Sequence, residues 1–384
     1  MLTGGGTAGH ITPLLAVANE LLAIRKGDIE LHFIGQKGDK NANLVIESAS
    51  VIKMHYIQAG KYRRFHNLTY LQRLLNIKVH ALNIIDAFKV FIGFFQALYT
   101  LMRIKPVVMF AKGGFVVVPV GWACKLLRIH YITHDSDTIP GLANKMIAKG
   151  ATKNAVAHAG VKAYPDYKTV VTGIPLSSEY DDRRDCTQQE YKLNLGIPSD
   201  SIMLFIFTGT QGAQVIDKSL EGVIPNLLNT HKNLYVVHVF GRLNESTLSS
   251  QYASADSSVS ERIRKLSFID NAYDYMAAAD IIIGRAGATS TAEIATIGRA
   301  SIIIPADKLT GGHQLKNAEV LAKAKASIIV LEENLESSLS ATIESLIFDE
   351  KLRLELSTNI AKLATPNAAK VLANLILQVG GCDR

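Results

Sequence analysis

The stretch TGGGTAGHITP, residues 3–13, is followed directly by the apolar, helix-forming run Leu14–Leu22. Glycines permit positive φ and let the backbone approach a ligand closely. The helix that follows presents unpaired N–H groups and the positive end of its dipole, so an anionic group is stabilised there. The stretch differs from the dinucleotide fingerprint GxGxxG, because no acidic residue closes the next strand region. It therefore predicts a strand–turn–helix unit with an anion site. A lone histidine at such a place is more often a packing or capping group, but at a glycine-rich turn His10 can also reach a substrate.

Short apolar runs alternate with helical patterns along the whole chain, which is the pattern of parallel α/β sheets. The predicted strands are 30–34, 107–110, 131–133, 156–157, 169–172, 203–207, 235–239, 281–284, 301–305 and 327–330. A strand should also precede Gly4, but only Met1–Thr3 are available. Either the first strand is very short, or the recorded start lies downstream of the true one.

The length of 384 residues suits two domains of roughly 150–200 residues each. We expect a first domain over 1–175 and a second over 176–364. The polar, charge-rich segment 177–200 is predicted to link them. The amphipathic tail 365–384 is expected to pack back onto the first domain as a helix.

Composition limits the compartment and the partners. The three cysteines have no metal-binding or CxxC spacing, which indicates a reducing compartment without a disulfide framework or structural zinc. The longest apolar stretch, Val90–Met102, is shorter than the roughly 18–20 residues that span a bilayer, so we expect a soluble or peripheral protein. The net charge of +7 favours an anionic partner such as phosphate, nucleic acid or lipid head groups.

The basic residues concentrate in the region 61–105, which contains eight of them and a single acidic residue, Asp86. Large apolar residues are interleaved with them. This combination favours an anionic membrane surface over nucleic acid as the partner. Ordinary core-facing helices with solvated lysines would have a similar composition.

The sequence contains three further glycine-rich turns. The first suits a phosphate group and the second suits sugar hydroxyls. TGTQGA (208–213) follows a predicted strand, and Thr210 with the nearby N–H groups can hold a phosphate, although a plain tight turn would look the same. GGHQLKN (311–317) places Gln314 and Asn317 on one face of a new helix. Amides in such fixed positions suit sugar hydroxyls.

The third turn, GRAGATSTAEIA (284–295), also separates a predicted strand from a helix. Arg285 lies at the turn itself. Glu293 falls in the first two turns of the helix, where a carboxylate can accept hydrogen bonds from vicinal ribose hydroxyls. A glutamate favoured by the helix dipole is the simpler explanation of the same position.

Taken in order, GGGTxGHxxP, TGTQGA, GRAGATSTAEIA and GGHQxxNA resemble the peptidoglycan N-acetylglucosaminyltransferase (MurG) family of glycosyltransferase family 28, from Gly4 to about Ala324. The resemblance implies the GT-B fold, with two Rossmann-like domains whose parallel sheets face across a cleft. It implies inverting, metal-independent transfer of N-acetylglucosamine (GlcNAc) from UDP-GlcNAc to lipid I, which gives lipid II for peptidoglycan synthesis, cell shape and division. No cofactor is implied, and the expected location is the cytoplasmic face of the cell membrane.

The resemblance also assigns residues by position. The donor residues it implies are Thr7, Ala8, Gly9, Thr210, Ile269, Arg285, Ala288, Thr289, Ser290, Glu293, Gln314 and Asn317. The acceptor residues it implies are Gly113, Gly114, Phe115, His134 and Asp137.

The chain departs from the family pattern at three places, one of which is the missing first strand. His-Glu-Gln-Asn appears as HDSD (134–137), and Gly-Asn-Pro-Val-Arg appears as GIPLS (173–177), without the arginine that usually faces the donor phosphates. These departures concern the identity of the acceptor more than that of the donor.

The mechanism we expect is attack of an acceptor hydroxyl on C1 of the donor sugar. His10 is the first candidate for the general base and Asp135 the second. Helix N-termini at Thr210 and Ala288, helped by Arg285, would stabilise the charge of the departing UDP.

Other functions use the same features. A glycolipid synthase acting on diacylglycerol, a UDP-GlcNAc 2-epimerase and a non-catalytic UDP-sugar-binding protein all remain open. Asp135-Ser136-Asp137 also matches the Asp-x-Asp metal–diphosphate signature of a different glycosyltransferase fold. Three glycine-turn anion sites would make such a metal redundant.

Overall fold

A computed structural model describes residues 1–26, 28–39, 43–48, 51–63, 76–183, 187–209, 211–241, 252, 257–306 and 312–382. The chain divides into two compact units: unit 1 is Met1–Ser177 with Asn367–Arg384, and unit 2 is Ser178–Pro366. Thr210 lies outside the described residues, as does the segment 64–75 of the basic region.

Unit 1 is built on a seven-stranded parallel sheet with the order β3-β2-β1-β4-β5-β6-β7. Its strands are β1 (Leu2–Gly4), β2 (His32–Gln36), β3 (Lys53–Ile57), β4 (Val108–Gly113), β5 (His130–Asp135), β6 (Lys153–Val156) and β7 (Thr169–Val171). The strand order reverses between β1 and β4, and ligands of such sheets bind at the carboxyl ends of the strands at this point. The first strand is short but central.

The α-helices of unit 1 cover the two faces of its sheet. They are α1 (Ala8–Arg25), α2 (Asn43–Ser48), α3 (Ile77–Ile104), α4 (Val117–Leu127), α5 (Leu142–Ala148) and α15 (Ala368–Val379), with a 3₁₀ turn at Asp166–Lys168. The helix α15 joins unit 1 from the far end of the sequence.

Unit 2 repeats the architecture with a six-stranded parallel sheet in the order β10-β9-β8-β11-β12-β13. Its strands are β8 (Ile202–Phe207), β9 (Leu234–Val239), β10 (Ile263–Leu266), β11 (Ile281–Gly284), β12 (Ala300–Ile303) and β13 (Ile328–Ile329). Its order reverses between β8 and β11. The predicted α/β class with two parallel sheets is confirmed.

The helices of unit 2 begin within the segment that we expected to be a linker. They are α6 (Ser178–Asp182), α7 (Gln188–Asn194), α8 (Gln214–Thr230), α9 (Ser257–Ser260), α10 (Ala272–Ala278), α11 (Ala288–Ile297), α12 (His313–Lys323), α13 (Leu335–Phe348) and α14 (Glu350–Ala361), with a 3₁₀ turn at Glu332–Asn334. On α7, Lys192 Nζ lies 2.6 Å from Asp280 Oδ2. On the turn after α6, Arg183 Nε lies 2.5 Å from Asp274 Oδ1. These ion pairs hold both helices on unit 2.

The apolar helix α3 is longer than the stretch Val90–Met102 on which the sequence expectation was based. Among the described residues it is the one helix that is long and apolar enough to cross a membrane by length and composition. Its small residues face the unit: a Cβ on Gly93 would lie 1.9 Å from the carbonyl oxygen of Gln58, and Ala97 is buried. Its large apolar side chains are mostly exposed. The helix is therefore packed on unit 1 along one narrow face.

The helix α15 completes the core on the α1 side of the sheet. Leu372, Ile376 and Leu377 belong to the same buried cluster as Leu14 and Val17 of α1. Because α15 follows unit 2 in the sequence, this cluster is formed only when the two ends of the chain come together.

Replacing Leu372 by alanine is expected to lower the free energy of unfolding of unit 1 by about 2–5 kcal/mol, because a fully buried leucine leaves a cavity. Urea denaturation measures the change. The matched control is Val371→Ala on the same helix, whose side chain is 44% exposed and should matter little. Equal losses for the two variants would contradict the packing of α15.

Candidate functional site

In unit 1 the turn after β1 packs directly against the turn after β4. A Cβ on Gly114, where φ is +82°, would lie 2.1 Å from the carbonyl oxygen of Gly5, so only glycine fits. A Cβ on Gly6, where φ is +87°, would lie 3.1 Å from the ring of Phe115. The two predicted glycine turns therefore form one surface at the point where the strand order reverses.

His10 lies in the first turn of α1 and faces this surface. Its Nδ1 lies 3.0 Å from the carbonyl oxygen of Gly5 and 3.1 Å from the hydroxyl of Thr7. Since a carbonyl only accepts hydrogen bonds, Nδ1 carries the proton in this arrangement, and Nε2 keeps its lone pair. A Cβ on Gly113 would lie 3.5 Å from Nε2. The basic nitrogen thus faces the turn after β4.

The surroundings of His10 keep its imidazole neutral. Burial, with a smaller contribution from the charge of Lys112, lowers the pKa of His10 to about 4. The Gly5 carbonyl and the carboxylates of Asp137 and Asp39 act in the opposite direction. At neutral pH the side chain is therefore unprotonated and able to accept a proton.

Thr7, Ala8 and Gly9 form the start of α1, where no side chain caps the helix. Thr7 and Gly9 are exposed. Just before them, the amide of Gly6 donates to Asp39 Oδ2 at 2.8 Å. A carboxylate of the protein thus already occupies part of the amide-rich turn.

The HDSD turn after β5 is held by internal hydrogen bonds. Asp135 Oδ1 accepts from the amide of Gly141 at 2.9 Å and from Asn144 Nδ2 at 3.0 Å, while Oδ2 accepts from Tyr164 at 2.7 Å. Both oxygens are therefore engaged by protein donors. The geometry does not support Asp135 as a general base.

His134 is fully buried, and its Nε2 lies 2.9 Å from the carbonyl oxygen of Gly173. Burial lowers the pKa of His134 well below its usual value. A side chain without exposed surface cannot touch an acceptor, so the structure corrects the predicted contact to a supporting role beneath the turn. Asp137 in the same turn is half-buried.

The sequence did not single out Lys112, the last residue but one of β4. Its side chain is buried, and Nζ donates to Ser136 Oγ at 2.5 Å. Burial lowers the pKa of Lys112 to about 8, whereas the charges of Asp135 and Asp137 raise it. The family resemblance pointed to Gly113, Gly114 and Phe115 but gave no role to the lysine that precedes them.

In unit 2 the TGTQGA turn follows β8, again where the strand order reverses. Gly209 and Gly212 have φ of +98° and +75°. A Cβ on Gly241 would lie 2.2 Å from the amide nitrogen of Gly212. Thr208 is buried, and its hydroxyl has no hydrogen-bond partner among the described residues. The turn is thus closely packed against the backbone at Gly241, and the Thr208 hydroxyl beside it could donate to a ligand.

The neighbouring turn after β11 leads into α11. Gly287 precedes the helix without a side-chain cap, and no acid lies in the first turn. Ala288 is buried, whereas Thr289 and Ser290 are half-buried. The first N–H groups of α11 are therefore suited to an anionic ligand.

Arg285 is already paired. Its NH1 lies 2.6 Å from Glu332 Oε1 and donates to the carbonyl oxygen of Ile304 at 3.2 Å. The pair leaves little net positive charge for a diphosphate. The expected help from Arg285 is thus weaker than the sequence suggested, and the start of α11 is the stronger anion site.

Glu293 lies on α11 and is hydrogen-bonded by Tyr180 of α6. Burial raises the pKa of Glu293 to about 7, and the Tyr180 hydroxyl opposes that shift. Tyr180 comes from the segment that we took for a linker, so no sequence signal pointed to this partner.

The two amides of α12 hold neighbouring turns in place. Asn317 Nδ2 donates to the carbonyl oxygen of Ala286 at 3.0 Å, and Gln314 Oε1 accepts from the amide of Ala306 at 2.9 Å. Ile269 is half-buried and follows the edge strand β10. Both amides are on α12 as predicted, and each has at least one protein partner.

Comparisons with known proteins place both units in one family. The N-terminal domain of glycosyltransferase family 28 matches residues 1–156, and its C-terminal domain matches residues 203–372. A relative from Leuconostoc citreum is 31% identical over 98% of this chain and 97% of its own, and one from Caldicellulosiruptor saccharolyticus is 32% identical over 98% and 96%. Both are named UDP-N-acetylglucosamine–N-acetylmuramyl-(pentapeptide) pyrophosphoryl-undecaprenol N-acetylglucosamine transferase.

Solved structures agree on the fold. The crystal structure of Acinetobacter baumannii MurG matches with a TM-score of 0.73 at 22% identity, covering 98% of this chain and 99% of that one. A UDP-GlcNAc 2-epimerase from Neisseria meningitidis, bound to UDP-GlcNAc, matches with a TM-score of 0.63 at 13% identity, covering 98% and 99%. The two-unit architecture is therefore the GT-B fold, which transferases and epimerases share.

The raised pKa of Glu293 predicts a pH-dependent stability of unit 2. A carboxyl group that is protonated more readily when folded stabilises the fold at low pH, and this contribution is lost as pH rises through about 7. Glu293→Gln should remove that loss while keeping an acceptor for Tyr180. Urea denaturation between pH 5 and pH 8 measures it.

The matched control for Glu293 is Glu319→Gln. Glu319 is exposed, and Lys316 lowers its pKa, so its ionisation does not change between pH 5 and pH 8. An unchanged pH slope in Glu293→Gln would contradict the burial of that carboxyl group.

Proposed function

Since the chain belongs to glycosyltransferase family 28, we propose that it transfers GlcNAc from UDP-GlcNAc to the lipid-linked acceptor lipid I, which yields lipid II for peptidoglycan synthesis. The observation that carries the proposal is the match of relatives with this activity in their names over 98% of the chain. The glycine turns at both points of strand reversal supply sites for an anionic donor and for a proton acceptor.

Unit 2 is proposed to bind the donor. The diphosphate would accept hydrogen bonds from the first N–H groups of α11, at Ala288, Thr289 and Ser290, and from the TGTQGA turn with Thr210. The half-buried Ile269 would pack on the uracil. The N–H groups at the start of α11 are already fixed by the helix, so they need no reorganisation when the leaving group gains charge.

The sugar and ribose groups of the donor would meet the side chains next to this anion site. Glu293 would accept hydrogen bonds from the ribose hydroxyls, and Gln314 and Asn317 would contact the GlcNAc hydroxyls. Asn317 is already fixed by the Ala286 carbonyl, so its position is set before the donor binds. Arg285, paired with Glu332, contributes to the orientation of the turn more than to charge.

Unit 1 is proposed to bind the acceptor and to remove its proton. The acceptor hydroxyl would give its proton to His10 Nε2 as its oxygen forms the bond to C1 of GlcNAc. The bond between C1 and the UDP oxygen breaks on the opposite face, so the anomeric configuration inverts. Gly113, Gly114, Phe115 and Asp137 line the acceptor side, and Thr7, Ala8 and Gly9 lie beside the reacting sugar.

No metal is part of this proposal, because helix N-termini and glycine turns stabilise the leaving group. Among the described residues, no three His, Cys, Asp or Glu side chains are grouped so as to hold a metal ion. The Asp-x-Asp alternative requires both carboxylates, yet Asp135 is engaged by Gly141, Asn144 and Tyr164.

The exposed face of α3 is proposed to bind the membrane that carries the acceptor. Phe88, Phe91 and Phe95 are 65%, 63% and 52% exposed. The exposed cations around them are Lys61, Lys78, Lys89, Arg103 and Lys105. The one acid of the region, Asp86, is buried and paired with Arg63 and Lys89. An apolar face with a cationic border suits the interface of an anionic bilayer. We infer a peripheral enzyme at the cytoplasmic face.

Product analysis tests the reaction. With UDP-GlcNAc and lipid I, we expect UDP and a lipid-linked disaccharide, and the yield should survive EDTA. Diacylglycerol in place of lipid I should give no product. Without an acceptor, UDP-GlcNAc should stay unchanged, whereas an epimerase would convert it to its 2-epimer. A glycolipid, an epimer or a loss of activity in EDTA that Mn²⁺ restores would each contradict the proposal.

His10→Ala should lower kcat by about 100-fold or more, because a general base is lost. The matched control is His130→Ala. His130 is an exposed histidine of the same unit, at the start of β5 and therefore at the opposite end of that strand from Asp135. Full activity in His10→Ala would remove His10 from the mechanism and favour a non-catalytic protein.

Co-sedimentation with vesicles tests the membrane surface. The triple variant Phe88→Ser, Phe91→Ser, Phe95→Ser should lose most binding to anionic vesicles at low salt, and the wild type should be released at high salt. Phe348→Ser, an exposed phenylalanine of unit 2, is the matched control. Equal binding of the wild type to neutral and anionic vesicles would contradict the cationic border.

A further inference from the structure

Arg183, which directly follows α6, has no role in the proposed function. It lies in the segment that we expected to be a linker, and its side chain is only 20% exposed. A partly buried guanidinium needs partners that offset its loss of solvation. The partners of Arg183 belong to α6 and to the first turn of α10. They lie next to residues 267–271, the turn that joins β10 to α10 and contains Ile269.

Asp274 connects Arg183 to this turn. Its Oδ1 accepts a hydrogen bond from Arg183 Nε at 2.5 Å, and its Oδ2 accepts one from Asn271 Nδ2 at 3.0 Å. The backbone amide of Asp274 also donates to the carbonyl oxygen of Asn271 at 3.0 Å. Asn271 is the last residue of the turn and follows Ile269 by two positions. One carboxylate therefore holds the end of the turn and the guanidinium together.

The guanidinium of Arg183 is itself fixed by two further contacts. Its NH1 donates to the carbonyl oxygen of Glu179 at 2.9 Å, and its Cζ lies 4.3 Å from the centre of the Tyr273 ring. The Tyr273 ring in turn meets the buried ring of Tyr180 edge to face, with 5.7 Å between the ring centres. A planar guanidinium can donate in its own plane and stack on an aromatic face at the same time. The position of Arg183 is thus set by α6 and α10 together.

The ion pair between Arg183 and Asp274 is sheltered from solvent, since the two side chains are 20% and 22% exposed. Salt screens such a pair less than it screens a pair on the open surface. A charge-assisted hydrogen bond of this kind is also stronger than one between neutral groups. Without Arg183, the carboxylate of Asp274 would no longer be held in one orientation toward Asn271. The turn that contains Ile269 would then be free to take other positions.

Resting on the proposed function, in which Ile269 packs on the uracil, we propose that Arg183 is a positioning residue for the base of the donor. Through Asp274 and Asn271 it fixes the turn 267–271 before the donor binds. Because Arg183 acts on the turn and not on the reacting atoms, its contribution belongs to ground-state binding of the nucleoside. The KM for UDP-GlcNAc therefore depends on Arg183, whereas kcat does not.

Titrations of the full chain with UDP and with ADP test the proposal. The two ligands share the ribose and the diphosphate and differ in the base, and NMR detects weak as well as tight binding. Arg183→Met should raise the Kd for UDP by about 10-fold, the size of one hydrogen bond to a charged group. The Kd for ADP should stay the same. An unchanged Kd for UDP overturns the proposal, and so does an equal weakening of both ligands.

Arg353→Met is the matched control for a merely structural arginine. Arg353 is a half-buried residue of unit 2 that donates to the carbonyl oxygens of Leu346 and Ile347 at the end of α13. Its loss should lower the urea midpoint of unfolding and leave the Kd of the folded protein for both nucleotides unchanged. Arg183→Lys keeps the charge without the planar contact to Tyr273, so it should recover only part of the affinity for UDP.

Asp274→Asn reaches the same contact from the other side and provides a second variant if Arg183→Met does not fold. It should weaken UDP and spare ADP in the same way. The double variant should bind UDP no more weakly than the more affected single variant, because both substitutions remove one contact. Losses that add in full would show that Arg183 and Asp274 act independently, which overturns the proposal.

The transfer assay separates this role from the proposed function. In Arg183→Met, the KM for UDP-GlcNAc should rise with the Kd for UDP while kcat stays at the wild-type value. A lower kcat at an unchanged KM overturns the positioning role. A wild type that binds UDP no better than ADP would contradict the proposed donor site itself. A wild type that prefers UDP, with Arg183→Met equal to it, would contradict only the role of Arg183.

Discussion

The carbonyl oxygen of Gly5 and the α-carbon of Gly114 approach so closely that no side chain fits between them. This contact joins the turns after β1 and β4, the two strands at which the order of the sheet reverses. It also aims the Gly5 carbonyl at His10 Nδ1, which fixes the tautomer and leaves Nε2 as the acceptor. The chemistry assigned to unit 1 depends on this backbone packing.

Unit 2 also has glycine turns at the point of strand reversal. Its turns after β8 and β11 follow the two strands between which the order reverses, and Gly241, which follows β9, packs against Gly212 without room for a side chain. The helix that follows β11 begins without a side-chain cap. Its amides form an anion site made of backbone, which cannot rotate away as a long side chain can. The side chain of Arg285, in contrast, is paired with Glu332 and offers little net charge to a ligand.

Two buried charged side chains of unit 1 make hydrogen bonds at the turn after β5. Asp135 holds the turn after β5 through three hydrogen bonds, and Lys112 reaches the same turn through Ser136. The helix α3 instead exposes its large apolar side chains. Gly93 and Ala97 pack closely against unit 1, while Phe88, Phe91 and Phe95 are exposed. Small residues inside and aromatic residues outside make α3 an apolar face of unit 1 with exposed cations in the same region.

The sequence by itself determined the fold class and the positions of the glycine turns. Apolar runs that are buried on both faces, such as those of β8 and β11, are visible without a structure. The edge strands β3 and β10 were missed, because one side of an edge strand is exposed and its run mixes lysine, arginine and histidine with apolar residues. The glycine turns were found because close backbone approach demands glycine at fixed positions along the chain.

Only the tertiary structure decided which side chains are available for chemistry. It showed Asp135 and His134 engaged or buried, and it brought Tyr180 next to Glu293. These partners are separated by about a hundred residues in the sequence, and nothing in the spacing of a motif records them. The physical reason is that burial and charge pairing depend on distance in space, whereas turns and strands depend on neighbours along the chain.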